Sequence, residues 1–74
     1  MELTNDEKIT IIEQHLRSML FSQYNLNLQL SELRAVSTPN QETIDAVTKQ
    51  MSDVQAQIDY LNAEAAKLQP TTTN

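Results

Sequence analysis

From Ile44 to Leu68 the apolar residues fall at Ile44, Val47, Met51, Val54, Ile58, Leu61, Ala65 and Leu68. Steps of three and four alternate without a break, which is the pattern of a helix that lays one narrow seam along a partner helix. Such a seam is stable only against a second stripe of the same pitch. The upstream half carries one at Ile9, Ile12, Leu16, Met19, Leu26, Leu30 and Leu33, interrupted once by Gln23 at a position the pattern assigns to the seam.

The two stripes are separated by Thr38-Pro39. Carrying a single helix through Pro39 would remove a backbone hydrogen bond and cost roughly 3 kcal/mol or more, and the proline pushes Thr38 towards extended geometry. The chain is therefore expected to fold back there. In a fold-back, facing residues lie equally far from the turn, so their numbers add to a constant. Leu33 then faces Ile44, Leu30 faces Val47, Leu26 faces Met51, Met19 faces Ile58, Leu16 faces Leu61, Ile12 faces Ala65 and Ile9 faces Leu68, each pair adding to about 77. Gln23 falls opposite Val54 in the same ladder. Two stripes that could have been out of phase are in phase.

Local signals place the ends. Thr4-Asn5-Asp6-Glu7 has the form of a capping box, with two carboxylates in the first turn of a helix. Arg34 stands in that helix's last turn. Thr38 as cap, Pro39 at the first helical position and Gln41 three residues after Thr38 form a second start signal. The expected organisation is a lead-in over 1–4, a first helix over about 5–36, a turn at 37–39, a second helix over 39–68 and a disordered tail over 69–74. Two exposed i,i+4 pairs, Glu13 with Arg17 and Asp45 with Lys49, are expected to add only about 0.2–0.5 kcal/mol each. Composition agrees with long helices, since the 74 residues include no glycine and two prolines.

The fold class is thus all-α: an antiparallel, coiled-coil-like two-helix hairpin. A chain this short buries too little to be comfortably stable alone, and without cysteine it has no disulfide or thiolate metal site to help. Help from a second copy is expected. The first helix carries an additional stripe, Phe21, Tyr24 and Leu28, turned away from the seam and joined to it by Leu20. The outward face of the second helix offers small residues at Ala56, Ala63 and Ala66. Two hairpins are expected to dimerise through the first helix into a four-helix bundle. Gln23 is expected to set register or orientation, as polar seam residues do at some cost in stability. The positions flanking the second seam, Thr43, Thr48, Gln50, Gln55, Gln57, Asn62 and Glu64, carry almost no charge, so specificity has to come from shape.

Several function classes are disfavoured. The net charge of −5, with only five Lys and Arg scattered along the chain, does not suit a phosphate-tracking surface or an anionic membrane. The longest apolar runs, such as Met19-Leu20-Phe21, fall far short of the ~20 residues of a membrane-spanning helix or the core of a signal peptide. A soluble, cytoplasmic protein is expected. His15 is the single histidine, lacks the repeated Glu-x-x-His spacing of bundle di-metal sites, and reads as a solvated side chain. Phosphate-binding glycine loops are impossible without glycine. No catalytic, cofactor-binding or metal-ligating residue is expected, and the protein reads as non-enzymatic.

Secreted helical hairpins that turn at Trp-x-Gly are excluded, because the chain has neither residue. Its Asn-, Gln- and Thr-rich composition resembles that of small phage accessory proteins, which would place it in a host cytoplasm. The leading expectation is a structural or assembly protein that self-associates through helices. The alternative is a regulatory binding module that docks a helix of another protein on the Leu20/Phe21/Tyr24/Leu28 face. An acidic mimic of nucleic acid fits less well, because the ten carboxylates are spread around both helices and partly offset by neighbouring cations.

Overall fold

The computed structural model describes residues 2–69, and the expected tail beyond Gln69 lies outside them, as does Met1. Two helices, α1 (Asn5–Arg34) and α2 (Gln41–Leu68), pack against each other, and no strand occurs among the described residues. At 1.5 Å per residue these arms of 30 and 28 residues are each about 40–45 Å long. The molecule extends 54 × 29 × 15 Å. Its radius of gyration is 17.1 Å, where a compact globule of this length would have about 11 Å. The hairpin is a thin rod.

Helix α1 begins on the capping box expected from Thr4 and Glu7. The Thr4 hydroxyl accepts from the Glu7 amide at 3.1 Å, and the Glu7 carboxylate accepts from the Thr4 amide at 2.8 Å. These two bonds satisfy amides that have no partner within the helix. At the other end the Ala35 amide donates to the Glu32 carbonyl at 3.2 Å, tightening the last turn, and the helix stops at Arg34, about two residues before the expected end.

The start of α2 differs from expectation. Thr38 and Pro39 do not act as cap and first helical residue; the cap is Asn40, with φ −88° and ψ 106°, and Gln41 opens the helix. The Asn40 side-chain oxygen accepts from the Thr43 amide at 3.2 Å, and its carbonyl accepts from the Ile44 amide at 3.0 Å. Asparagine caps at least as well as threonine. Starting the helix two residues on lets the stronger cap act and leaves a longer turn, 35–40, than the expected 37–39. No residue of the described chain has positive φ and no peptide is cis.

Along the interface, all eight seam positions of α1 (Ile9, Ile12, Leu16, Met19, Gln23, Leu26, Leu30 and Leu33) are half-buried. On α2, Ile44, Val47 and Ile58 are buried at 6%, 4% and 7% exposure, and Met51, Val54, Leu61, Ala65 and Leu68 are half-buried. No other side chain of the hairpin is withdrawn from water to this degree except Lys8 and Glu64. Two cross-helix hydrogen bonds mark the register. At the open end the Asn5 side-chain amide donates to the Leu68 carbonyl at 3.3 Å, satisfying one of the orphan carbonyls of α2. Halfway along, the Gln23 amide donates to Gln55 at 2.8 Å, and Gln55 in turn donates to Asp59 at 3.1 Å. Gln23 thus turns past Val54 to the neighbouring polar position on α2.

The surface pairs partly rearrange. Asp45 accepts from Gln41 at 2.9 Å, while Lys49 pairs with Asp53 at 3.7 Å in place of Asp45. Lys67 near the end of α2 pairs with Glu64 at 3.3 Å. Glu13 and Arg17 form no ion pair; the Arg17 guanidinium lies over the Phe21 ring, 5.6 Å from its centroid. These contacts are exposed and contribute little to stability.

Two substitutions test which parts of the rod hold it together. Ile58→Ala is expected to lower the stability by about 2–4 kcal/mol and Ile11→Ala by less than about 1 kcal/mol, read from thermal melts followed by helical circular dichroism. Asn40→Ala should cost about 1 kcal/mol, whereas Thr38→Ala should change the melt by a few tenths at most. The reverse order would return the start of α2 to Thr38.

Candidate interaction surface

The exposed residues sort by helical position into distinct faces. On α1 the heptad positions place Arg17 and Tyr24 on one line along the helix, with Leu20 to one side of it and Phe21 and Leu28 to the other. Leu20, Phe21, Tyr24 and Leu28 are all exposed, Phe21 at 63% and Tyr24 at 65%. Arg17, Leu20, Phe21 and Tyr24 together line a shallow concavity on the outer side of α1. Its floor is apolar and its rim holds one cation. Because Arg17 and Phe21 are four residues apart, the helix itself sets the guanidinium over the ring, an arrangement worth about 0.5–1 kcal/mol at an exposed site.

The flank of α2 on the same broad side of the hairpin is polar. Thr48, Gln55, Asp59 and Asn62 stand there, all exposed, and Gln55 and Asp59 belong to the chain of bonds from Gln23. The small residues Ala56, Ala63 and Ala66 are exposed on the outer side of α2. The apolar stripe is therefore a property of one helix. A helix could lie along α1 with its axis about 8–10 Å away, but a bundle core drawing equally on both helices of each hairpin has no matching residues on α2.

A second apolar patch lies on the opposite broad side, at the open end. Leu3, Ile11 and Tyr60 are exposed there and line a groove with Ile12, Leu61 and Leu68. The sequence pattern does not reveal this patch, for a definable reason. Ile11 and Tyr60 are each a single apolar residue off the seam of its own helix, and neither makes a stripe. They become neighbours only once the register between the arms is known. The clue present in the sequence is that each adjoins a seam residue, Ile12 and Leu61, on the same flank after pairing.

Chemistry-bearing groups do not converge. His15 is exposed, Glu7 is engaged in the capping box, and among the described residues no three of His, Cys, Asp and Glu come close enough together to hold a metal ion. No helix among the described residues is long and apolar enough to cross a membrane. The concavities are open surface features: one on the second broad side, lined by Ser22, Asn25, Gln50 and Asp53 over Leu26 and Val54, is of mixed character where the α1 concavity is mostly apolar. The outer face of α1, with its exposed apolar stripe and concavity, is the candidate site. No protein-family model matches the chain, and neither a curated protein nor a solved structure matches it.

Proposed function

We propose that the protein is a non-enzymatic assembly element: a helical hairpin that associates with a second copy along α1 to give a two-chain, four-helix unit serving as a spacer or oligomerisation module. The observation that carries this reading is the contrast between the seam and the stripe. The seam fully buries only Ile44, Val47 and Ile58, whereas Leu20, Phe21, Tyr24 and Leu28 remain open on one helix. Burying an aromatic or leucine side chain contributes about 1.5–3 kcal/mol, so covering these four would add substantially to what the seam supplies.

Surface area supports the same reading. The chain exposes 6020 Å², where a globular monomer of 8.4 kDa would expose about 4,600 Å². The surplus of about 1,400 Å² exceeds the ~800 Å² per partner that a stable association commonly buries. Since the stripe belongs to α1 alone, the two hairpins meet α1 to α1, with each α2 on the outside. The alternative is a regulatory module whose α1 face receives a helix of another protein; it draws on the same exposed rings and apolar concavity.

Sedimentation equilibrium at micromolar concentration decides between them. Self-association predicts a dimer that Phe21→Ala and Tyr24→Ala shift towards monomer, with circular dichroism unchanged because both side chains lie outside the seam. A fully helical monomer would overturn self-association and leave the face to a different protein.

A further inference from the structure

The order of residues along the stripe says how the second copy lies. Arg17 and Tyr24 share one line on α1, seven residues apart, and the midpoint between them falls between Leu20 and Phe21. We propose that this midpoint is the two-fold axis of an antiparallel α1–α1 contact between two copies of this chain, with Arg17 of each copy set against the Tyr24 ring of the other. The inference rests on the self-association reading above and adds to it an axis, an orientation and a polar pairing.

The pattern is self-complementary about that point. A two-fold axis there brings Leu20 against its own counterpart on one side of the contact line and Phe21 against its counterpart on the other. The cation of each copy meets the exposed Tyr24 ring of the other, so the pairing occurs twice by symmetry. A guanidinium over an aromatic face is attractive, more so once water is excluded, and Arg17, which lies over Phe21 at 5.6 Å within its own chain, stands at the edge of the proposed contact. Leu28, the last apolar residue of the stripe, falls across from Gln14 of the other copy.

Electrostatics select the orientation. In an antiparallel contact with this axis the two Arg17 side chains stand about 10 Å apart along the helices, at 1.5 Å per residue. In a parallel, in-register contact they would stand side by side, and two like charges at close range repel. The same stripe that is self-complementary antiparallel is therefore self-repelling parallel. A partner of other chemistry would have no need of this internal symmetry.

Cysteine cross-linking tests the arrangement against a silent background, since the chain contains no cysteine. A disulfide requires Cα atoms about 4.4–6.8 Å apart. Leu20→Cys should oxidise to a covalent dimer, because its two copies differ in level by only about 1.5 Å. Gln14→Cys alone and Leu28→Cys alone should not, since the equivalent positions are about 20 Å apart along the axis, yet a mixture of the two variants should cross-link to each other. Sedimentation of the same samples separates the two levels of the argument. A monomer throughout overturns self-association itself. A dimer in which Gln14→Cys links to itself, or in which none of these positions links, leaves self-association standing and overturns the antiparallel axis. Arg17→Glu should raise the dimer dissociation constant about tenfold or more while Arg17→Lys retains most of the affinity; no change with Arg17→Glu would remove the Arg–Tyr pairing.

Discussion

Two helices cannot enclose anything. Each seam side chain meets the opposite helix on one side and remains open to water on the flanks, so the fold rests on a single line of contact about as long as the helices themselves. That geometry explains why sixteen seam positions yield only three buried side chains. All three are β-branched residues of α2, whereas the facing stripe of α1, half of it Leu, stays half-covered. Ordering the backbone opposes folding by about 1–2 kcal/mol per residue, so a line of half-covered side chains leaves little margin. The apolar face left over on α1 has to be understood against that deficit.

The polar contacts contribute by restricting alternatives. Apolar seams tolerate sliding by a heptad, because one Leu resembles the next. Gln23 does not: it is half-buried and hydrogen-bonded to Gln55, which is bonded onward to Asp59. Slipping α1 by a heptad would move its amide from Gln55 to Thr48 or Asn62 on the same polar flank and break the chain of bonds to Asp59, at a cost of about 0.5–1.5 kcal/mol at most for so exposed a bond. Asn5 on the Leu68 carbonyl does the same at the open end. These bonds are exposed and individually weak, yet each favours one register over its neighbours.

Much of this architecture is legible in the residues because both helices announce themselves in the three-four spacing, and α1 does so again in its cap. Thr4 and Glu7 are close in sequence and form their box irrespective of what the rest of the chain does. Features that depend on competition are harder to read. Thr38-Pro39 and Asn40 both offer a start for α2, and the choice falls to asparagine, a better cap than threonine by a small margin that a residue pattern does not weigh. Arg17 has a carboxylate at i−4 and a ring at i+4, and it takes the ring. The outer stripe of α1 repeats along one helix and is visible in the sequence, whereas the groove of Leu3, Ile11 and Tyr60 exists only across the two arms and is not.

The reversal between the arms needs no special residue. Ala35 to Asn40 runs through ordinary negative φ with every peptide trans, and nothing in it demands the conformational freedom of glycine. It behaves as a strap rather than a hinge: it keeps the arms at high local concentration but does not dictate how they mesh. Selection of the meshed state is then left to the arms, and the strap is where the chain could accept extra residues, since closing a loop twice as long costs only about 0.6 kcal/mol more.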